Sequence, residues 1–437
     1  MRARVKVKPV IGIVGMGYAG LPVACLFSKK YTVIGYDMNR TRINQLREGV
    51  DKGGDFDKKY LLRLQRHRLH PTSNREDLMQ CNFYVVVVPT PVDENNQPDL
   101  TYVISASQTV GQVISKGDVV VYESTVYPGV TEDVCVPEIE KVSGLKFNRD
   151  FFVGFSPERI DPSNKQHTIF NTVKITSGSD DRTAHYIDSV YGSVLSAGTC
   201  LAASIKAAEA AKILENTQRD VNIALMNECS KIFSAMGIDT NKVIDAAATK
   251  WNFNAYRPGL VGGHCIGVDP YYFTYEAEKL GYHSQIVLSG RIVNDGMAPF
   301  IARKAVDTMV MRGLAPKKCR VVILGLTFKE NCPDVRNSRV ADIVAELRKF
   351  GIEPAVVDPW ADAEATNKVY GFTLTALKDV HDADCVIAAV AHDEFEALGV
   401  GGLRRLYGEN GARILIDVKG MFDLAALKQS DIVWWRL

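Results

Sequence analysis

Residues 9–37 read PVIGIVGMGYAGLPVACLFSKKYTVIGYD, a pattern that predicts a strand, a glycine turn, a helix and a second strand in succession. Gly15, Gly17 and Gly20 form a GxGxxG motif directly after the apolar run VIGIV. In such a turn the first glycine lets the chain reverse and the second lets a pyrophosphate approach the backbone. The third lets the helix pack closely on the strand. The stretch therefore predicts a dinucleotide-binding unit.

The acidic residue at the end of the second strand indicates which dinucleotide is bound. Asp37 lies about 20 residues beyond the glycine turn, where a carboxylate accepts hydrogen bonds from both ribose hydroxyls of NAD. An arginine in that place would favour NADP. We therefore expect NAD, although Arg40 and Arg42 lie close enough to leave some use of NADP open.

Two further apolar runs, FYVVVVPTP and DVVVYESTVYPG, end in loops rich in hydroxyl side chains. Ligands of open parallel sheets bind beyond the carboxyl ends of the strands. Thr90 and Thr125 are therefore expected to face the cofactor. Each threonine taken alone is equally consistent with a helix cap or a turn residue.

The composition of the whole chain bounds its class. A length of 437 residues predicts two or three domains, and a net charge of +1 gives no electrostatic case for nucleic acid or an anionic membrane. The chain lacks the ~18 consecutive apolar residues that a membrane helix requires. Nine cysteines without a CxxC pair predict neither a disulfide framework nor a metal site, and we expect the reducing cytoplasm. The basic start MRARVKVK is expected to lead into the first strand.

Residues 204–236 contain neither proline nor glycine and predict one long helix. Lys212, Asn216 and Arg219 fall at positions i, i+4 and i+7, on one face of it. Such a stripe is usually a solvated face. The strongly apolar flanks instead indicate a helix covered on both sides, whose polar groups require partners or a ligand.

The pattern beyond Pro316 predicts a second parallel α/β unit. Its strand-like runs are CRVVILGL, EPAVVDPW, DCVIAAVAH and ARILIDVKG. The unit lacks GxGxxG, so it is not expected to hold a second dinucleotide in the same way. The loop after its first strand carries several charged side chains: Lys329, Asp334, Arg336 and Arg339. They suit a phosphorylated ligand; the alternative is a cluster of salt bridges between domains.

The predicted fold class is α/β, with two Rossmann-like parallel-sheet domains joined by a long central helix. We expect an NAD-binding domain over residues 1–200. A central helical domain with the dimer interface and a cysteine loop follows over 201–315, and a second Rossmann-like domain over 316–437.

The stretch VGGHCIGVDPYY, residues 261–272, places Cys265 in a glycine-flanked loop. A cysteine in a protein that binds NAD suggests an oxidation that passes through a thioester. An alcohol loses a hydride to give an aldehyde, the thiolate adds to it, a second hydride leaves, and water releases the acid. The alternative for Cys265 is a buried structural thiol.

The remaining chemistry can be assigned to nearby polar residues. Lys212 and Asn216 supply an ammonium and an amide from adjacent turns to stabilise oxyanions. A general base is provided by Asp269, by Glu158 or by deprotonated Lys212, and the residue pattern alone does not rank these.

Several motifs together make the chain resemble the UDP-glucose/GDP-mannose dehydrogenase family over nearly its full length. They are GMGYAG, VPTP, ESTVYPG, SPERI, AAKILENTQRDVN, GGHCIGVDP and GLTFKENCPDVRNSR. The resemblance implies the cysteine as nucleophile with an aspartate partner, a lysine–asparagine pair, a water-positioning threonine and a glutamate. These fall on Cys265, Asp269, Lys212, Asn216, Thr125 and Glu158.

The resemblance also implies the binding residues and the assembly. Expected cofactor contacts are Gly15, Gly17, Tyr18, Ala19, Gly20, Asp37, Arg42, Thr90, Thr125 and Arg336. Expected contacts to a UDP-sugar are Glu158, Arg159, Lys212, Asn216, Arg257, Gly262, Phe328 and Lys329. A homodimer built on the long central helix is implied as well.

The likeness is greatest to the bacterial branch that acts on UDP-N-acetylhexosamines, either UDP-N-acetylglucosamine or UDP-N-acetylgalactosamine, for surface polysaccharides such as capsule and O-antigen. His264, in place of a commoner serine, supports that branch; it either perturbs the neighbouring thiol or is a plain loop residue. UDP-glucose and UDP-N-acetylmannosamine remain alternative substrates. Two other classes are a two-electron β-hydroxyacid dehydrogenase, which needs no cysteine, and a non-catalytic NAD-binding module.

Overall fold

The computed structural model describes residues 8–51, 53–54, 56–159, 166–409 and 412–437. The chain divides into two compact units, and each is considered by itself. The first comprises Met1–Glu215 with Tyr271–Tyr282, and the second comprises Asn216–Pro270 with His283–Leu437. The three-part division of the sequence at residues 200 and 315 stays a prediction.

The first unit contains a parallel sheet of six strands in the order β3-β2-β1-β4-β5-β6. The strands are β1 Val10–Val14, β2 Thr32–Tyr36, β3 Leu69–Thr72, β4 Phe83–Val86, β5 Val119–Tyr122 and β6 Phe152–Phe155. The helices are α1 Gly20–Ser28, α2 Arg40–Arg47, α3 Lys58–His67, α4 Thr101–Gly111, α5 Val136–Ser143 and α6 Asp181–Gly192. Shorter helical segments are the 3-10 turn Arg75–Gln80 and the π segment Thr131–Cys135. A separate parallel pair consists of β7 Lys174–Thr176 and β8 Thr199–Leu201.

The order of these strands reverses between β1 and β4, which pair in register with Val14 opposite Val86. Ligands of open α/β sheets bind at such a switch point, beyond the carboxyl ends of the strands. Behind the sheet, the rings of Phe27 and Tyr191 meet edge to face with their centroids 5.0 Å apart, in a core without solvent access. Helices α1 and α6, which carry these two rings, therefore pack together in the core of the first unit.

The second unit contains a parallel sheet of five strands in the order β10-β9-β11-β12-β13. The strands are β9 Val321–Leu324, β10 Ala355–Val357, β11 Cys385–Ala388, β12 Ile414–Asp417 and β13 Val433–Arg436. Consecutive residues of β9 alternate between two apolar clusters, with Val321 in one and Val322 in the other. The sheet is therefore covered on both faces, as parallel sheets are.

Helices of the central and third parts of the chain complete the fold. They are α7 Ile205–Ala235, α8 Thr240–Ala247, α9 Asp269–Lys279, α10 Gln285–Asp295, α11 Met297–Met311, α12 Val340–Lys349, α13 Ala363–Tyr370, α14 Asp393–Glu396, α15 Gly399–Arg404 and α16 Leu424–Gln429. Two 3-10 turns are Pro316–Lys318 and Leu377–Asp379. The predicted α/β class with two parallel sheets and a long helix is confirmed.

The long helix α7 spans 31 residues, within one residue at each end of the predicted range. Lys212 and Asn216 are buried, whereas Arg219 is exposed, so the predicted polar stripe is covered over its first two members only. The expectation that both apolar flanks are covered is wrong for this chain alone. Leu225 and Ile232 are 51% and 53% exposed.

Three further features concern membranes, metals and thiols. Among the described residues, none of the helices combines the length and apolar character that crossing a bilayer requires. The described parts of the chain also bring together no group of three or more side chains able to hold a metal ion. The nine cysteines all lie in the described parts of the chain, and none of them is in a disulfide.

Candidate active site

The glycine turn after β1 has the backbone geometry that its sequence predicts. Gly15 has φ +100°, a conformation that side chains rarely adopt, and its N–H donates to the carbonyl of Tyr36 at 2.9 Å. A Cβ at Gly15 would overlap the Val87 carbonyl, and one at Gly20 would overlap the Gly15 carbonyl. A Cβ at Gly17 would meet no described atom within 4 Å. Two of these glycines are thus required by the fold, and the third has open space beside it.

The three glycines predict different outcomes on substitution, which separates folding from binding. Gly17→Ala is expected to leave the melting temperature unchanged and to weaken NAD binding by about tenfold or more, since the methyl would occupy the pyrophosphate's place. Gly15→Ala is the matched control, expected to lower both stability and binding. Thermal unfolding and NAD titration measure the two effects. Unchanged NAD affinity in Gly17→Ala would contradict this assignment of the turn.

The acidic residue after β2 closes this turn. Asp37 accepts the backbone N–H of Met16 through Oδ2 and that of Asn39 through Oδ1, both at 2.8 Å. The Arg42 guanidinium donates to the Met16 carbonyl at 3.0 Å and pairs with Asp51 at 3.2 Å. Asp37 and Arg42 are therefore both placed beside the glycine turn, and both bond the backbone of Met16.

Other predicted cofactor residues border the same switch point. Thr90, in the loop after β4, donates its hydroxyl to the carbonyl of Thr125, in the loop after β5, at 2.6 Å. Tyr18 is 37% exposed and Ala19 caps α1. The two threonine loops are therefore joined directly, although they are 35 residues apart in sequence.

Two buried charged residues of the first unit meet at the loop after β6. The ammonium of Lys212 donates to the backbone carbonyl of Glu158 at 2.7 Å, and their exposed fractions are only 5% and 6%. One of the three ammonium protons is thus used to orient the lysine. Arg159, the next residue, donates to the Val173 carbonyl at 2.7 Å and pairs with Glu215 of α7.

In the second unit, Asn216 and Asp269 form a buried pair. The Asn216 amide donates to Oδ2 of Asp269 at 2.5 Å, and the two residues are 4% and 2% exposed. The backbone N–H of Asp269 donates to the carbonyl of Cys265 at 2.8 Å, so the half-buried cysteine lies one turn before α9.

The cysteine loop is held by an asparagine that sequence reasoning did not select. Asn337 donates through its side chain to the Gly263 carbonyl at 2.6 Å and accepts the Gly263 N–H at 3.1 Å. A Cβ at Gly262 would lie 2.6 Å from the Asn337 carbonyl, and one at Gly263 2.7 Å from the Phe328 ring. The paired glycines before the cysteine are therefore required by close packing within the second unit. Asn337 lies inside a quoted motif, but nothing in the motif indicated this role.

His264 faces Phe328 and the charged loop. Its ring lies edge-on to the Phe328 ring with centroids 6.1 Å apart, and Nδ1 lies 3.9 Å from Asp334. Burial lowers the pKa of His264, the charge of Arg336 lowers it further, and Asp334 opposes them. The imidazole is therefore neutral at neutral pH, so it does not provide a positive charge for the Cys265 thiol.

Two of the residues predicted to contact the UDP-sugar, Gly262 and Phe328, line a pocket at the carboxyl ends of β9, β11 and β12. Its lining comprises Leu260, Gly262, Thr327, Phe328, Glu330, Ser338, Arg339, Val340, Ala389, Val390 and Lys419. Lys329 belongs to the same loop, with its carbonyl accepting the Thr327 hydroxyl at 2.9 Å. Lys419 was not selected from the sequence, because it follows a different strand.

Two predicted arginines are engaged elsewhere. Arg336 makes a bidentate pair with Asp334 at 2.9 and 2.6 Å, and Arg257 contacts Asn241 and Asp245 of α8. Their cofactor and substrate roles stay predictions.

A buried aspartate–histidine network supports the nucleotide loop. Asp358, at the end of β10, accepts the N–H groups of Leu326 and Thr327 at 2.6 and 3.0 Å. It also bonds Nε2 of the fully buried His392 at 3.0 Å, while Asn331 N–H donates to the other ring nitrogen. Burial raises the pKa of Asp358, but these hydrogen bonds and the histidine outweigh burial and lower it. Asp358 follows the second strand of its sheet in chain order, as Asp37 does, and like Asp37 it accepts backbone N–H groups of the loop after the first strand.

Comparison with family models assigns nearly the whole chain. Residues 9–195 match the NAD binding domain of the UDP-glucose/GDP-mannose dehydrogenase family, residues 206–296 its central domain and residues 322–424 its UDP binding domain.

Individual relatives show the same likeness. The chain is 50% identical over 413 residues to the UDP-N-acetyl-D-glucosamine 6-dehydrogenase of Pseudomonas aeruginosa, covering 94% of this chain and 97% of that protein. It is 48% identical over 423 residues to the enzyme of the same name from Salmonella typhi, covering 97% and 98%. A solved structure of the UDP-D-ManNAc dehydrogenase of Pyrococcus horikoshii superposes with a TM-score of 0.88 at 28% identity, covering 98% of each chain.

Proposed function

Because the chain belongs to the UDP-glucose/GDP-mannose dehydrogenase family, we propose that it oxidises C6 of a UDP-N-acetylhexosamine to the acid through a thioester on Cys265. As a member of that family it is an NAD-dependent nucleotide-sugar 6-dehydrogenase. The sugar and the covalent route are the parts that we propose.

The residues around the glycine turn fit NAD. Open space at Gly17 leaves room for a pyrophosphate, and Asp37 presents a carboxylate beside it for the ribose. When bound, NAD accepts a hydride from C6 of the sugar in each of the two oxidation steps. Thr90 and Thr125 lie in the loops after β4 and β5, and these loops are joined by a hydrogen bond between the two threonines.

The first oxidation removes the proton of the C6 hydroxyl, and the alkoxide that forms needs hydrogen-bond donors to stabilise it. Lys212, held by the Glu158 carbonyl, and Asn216, held by Asp269, lie one turn apart on α7. We assign them to the alkoxide and to the later tetrahedral oxyanions, because an ammonium and an amide are both donors.

The second oxidation uses the cysteine. The Cys265 thiolate adds to the aldehyde carbon to give a thiohemiacetal, which loses its second hydride to become a thioester. Water then cleaves the C–S bond, giving the carboxylate and returning the thiol. Asp269 or Glu158 removes the proton from that water, and Thr125 orients it. The covalent bond also keeps the aldehyde from escaping.

The acetamido sugar is favoured by the relatives. Two proteins about as long as this chain and 50% and 48% identical to it are named UDP-N-acetyl-D-glucosamine 6-dehydrogenases. We therefore place UDP-N-acetylglucosamine first, with its C4 epimer next. The product is a uronic acid attached to UDP, which is suited to transfer into a surface polysaccharide. The absence of disulfides among the nine cysteines suits a reducing cytoplasm.

Competition between substrates tests the sugar. With saturating NAD, kcat/KM for UDP-N-acetylglucosamine should exceed that for UDP-glucose by about tenfold or more, since an acetamido-binding site left unfilled loses binding energy. UDP-N-acetylgalactosamine and UDP-N-acetylmannosamine complete the series. A preference for UDP-glucose would contradict the assignment of an acetamido sugar. The assignment as an NAD-dependent nucleotide-sugar 6-dehydrogenase would still hold.

We also propose a homodimer through an apolar face of the second unit. This face consists of Leu225 and Ile232, which are seven residues apart on α7, and are 51% and 53% exposed. Helices α7 and α10 pack together at Gly290, whose Cβ would lie 3.5 Å from Val221. Large apolar side chains that are exposed together on one helix face are characteristic of an interface between chains.

Substitution of that face tests the dimer. The double variant Leu225→Asp/Ile232→Asp is expected to be monomeric at micromolar concentration, because two carboxylates would be buried in an apolar contact. Val369→Asp, at a 50% exposed position on α13, is the control and should keep the wild-type mass in light scattering. A double variant with the wild-type mass would contradict this choice of interface.

A further inference from the structure

A buried ion pair in the first unit has no part in the reaction described above. Lys174, the first residue of β7, lies with its ammonium 2.6 Å from Oε2 of Glu123, which follows β5. The two side chains are 4% and 0% exposed, and Tyr191 of α6 donates its hydroxyl to Oε1 of the same carboxylate at 2.6 Å. A buried ion pair often contributes little to the stability of the fold. The role of this pair is therefore sought in its other contacts.

The remaining donors of this lysine go to the loop that carries Glu158. The Lys174 ammonium donates to the carbonyl of Pro157 at 2.8 Å and to that of Ser156 at 3.3 Å. The next carbonyl, that of Glu158, accepts from Lys212 at 2.7 Å. The carbonyls of three successive residues, 156–158, thus each accept a hydrogen bond from a lysine ammonium. Lys174, which has no part in the reaction, donates to the first two, and Lys212 donates to the third.

The carboxylate side of the pair is tied to the same loop. The Glu158 N–H donates to the backbone carbonyl of Glu123 at 3.3 Å. A small pocket beside the loop is lined by Glu123, Glu158, Arg159 and Lys174, together with three neighbours. The backbone of residues 156–158 therefore forms hydrogen bonds with the ion pair and, at Glu158, with Lys212.

We propose that Lys174, kept in place by Glu123 and Tyr191, is a positioning residue that sets where the Lys212 ammonium stands. The proposal rests on the proposed function, in which Lys212 stabilises the C6 alkoxide. Loss of the Lys174 donors frees the carbonyls of Ser156 and Pro157, and the Glu158 carbonyl moves with them. A displacement of about 1 Å at a reacting group can cost about a hundredfold in rate.

Removal and chemical rescue of the ammonium test the proposal. Lys174→Ala is expected to lower kcat by about 30- to 100-fold, with KM for the UDP-sugar and NAD affinity changed by less than about threefold. Added ethylammonium, which can enter the vacated space and donate N–H bonds, should restore kcat by at least about fivefold. Tetramethylammonium, a cation without N–H groups, should restore nothing.

A matched control separates positioning from stability. Thr176→Val removes a buried hydroxyl of the same strand, which donates to Asp188 at 2.7 Å, and should lower the melting temperature without lowering kcat. If Lys174→Ala does not fold, Tyr191→Phe replaces it, with an expected fall in kcat of about three- to tenfold. Tyr191→Phe keeps the ring and loses the hydroxyl, which bonds Glu123 and also interacts with the Ser156 side chain.

Three results would overturn the proposal. The first is a wild-type kcat in folded Lys174→Ala or in its substitute Tyr191→Phe, and the second is an effect on KM alone. The third is an equal effect of ethylammonium and tetramethylammonium on kcat of Lys174→Ala. Failure of the proposed function itself is seen separately, in the unaltered protein assayed alongside. That protein would then release no NADH from any UDP-sugar, and both proposals would be wrong.

Discussion

Cys265→Ser is expected to lower the steady-state rate of acid formation by about a thousandfold or more while leaving the first hydride transfer intact. A serine hydroxyl is not ionised at neutral pH, so it adds to the aldehyde far more slowly than a thiolate does. The alkoxide donors assigned to the first step, Lys212 and Asn216, keep their own partners, Glu158 and Asp269.

Rapid mixing with saturating NAD and UDP-N-acetylglucosamine measures this prediction. The variant should release one NADH per active site in an initial burst and then almost stop. Cys319→Ser, at another half-buried cysteine, is the matched control and should turn over like the unaltered protein. Turnover of Cys265→Ser within about tenfold of wild type would exclude a thioester on this residue.

Lys212→Met is expected to slow both hydride transfers by about a thousandfold and to remove the burst. The methionine has nearly the volume of lysine and fits a position that is 5% exposed, but it has no proton to donate to an alkoxide. The defect therefore comes one step earlier than that of Cys265→Ser.

Lys206→Met is the control for this prediction. Lys206 lies on the same helix, pairs with Asp133 at 3.1 Å, and is 53% exposed, so its loss should change the rate by less than about twofold. Single-turnover absorbance at the NADH band distinguishes the two variants. A normal burst in Lys212→Met would remove this lysine from the first step and leave its contact with Glu158 as structural.

The parts of the fold that depend on local patterns were predictable from the sequence. The turn at Gly15 follows from glycine's freedom at positive φ, and α7 follows from an uninterrupted run of helix formers. The edge strands β3 (LHPT) and β13 (VWWR) each have a single β-branched residue and lack the valine run that marks β4 and β5. The sequence FVGF of β6 has one valine and a glycine, so it gives an equally weak signal.

The supporting contacts of the site were not predictable, because they join residues far apart in sequence. Glu123 and Lys174 are separated by 51 positions, and Asn337 and Gly263 by 74. Side chains such as Lys174 look like solvated surface residues in a linear pattern. Only the folded sheet places them against the loops that carry the reacting groups.

The measurement that tests the central claim most directly is the number of NADH molecules formed per sugar. Pure protein with excess NAD and limiting UDP-N-acetylglucosamine should give two NADH per sugar and a product with a carboxylate at C6, because the thiohemiacetal on Cys265 carries the second oxidation. One NADH per sugar, with an aldehyde or ketone as product, would contradict the thioester route and leave Cys265 without its assigned role.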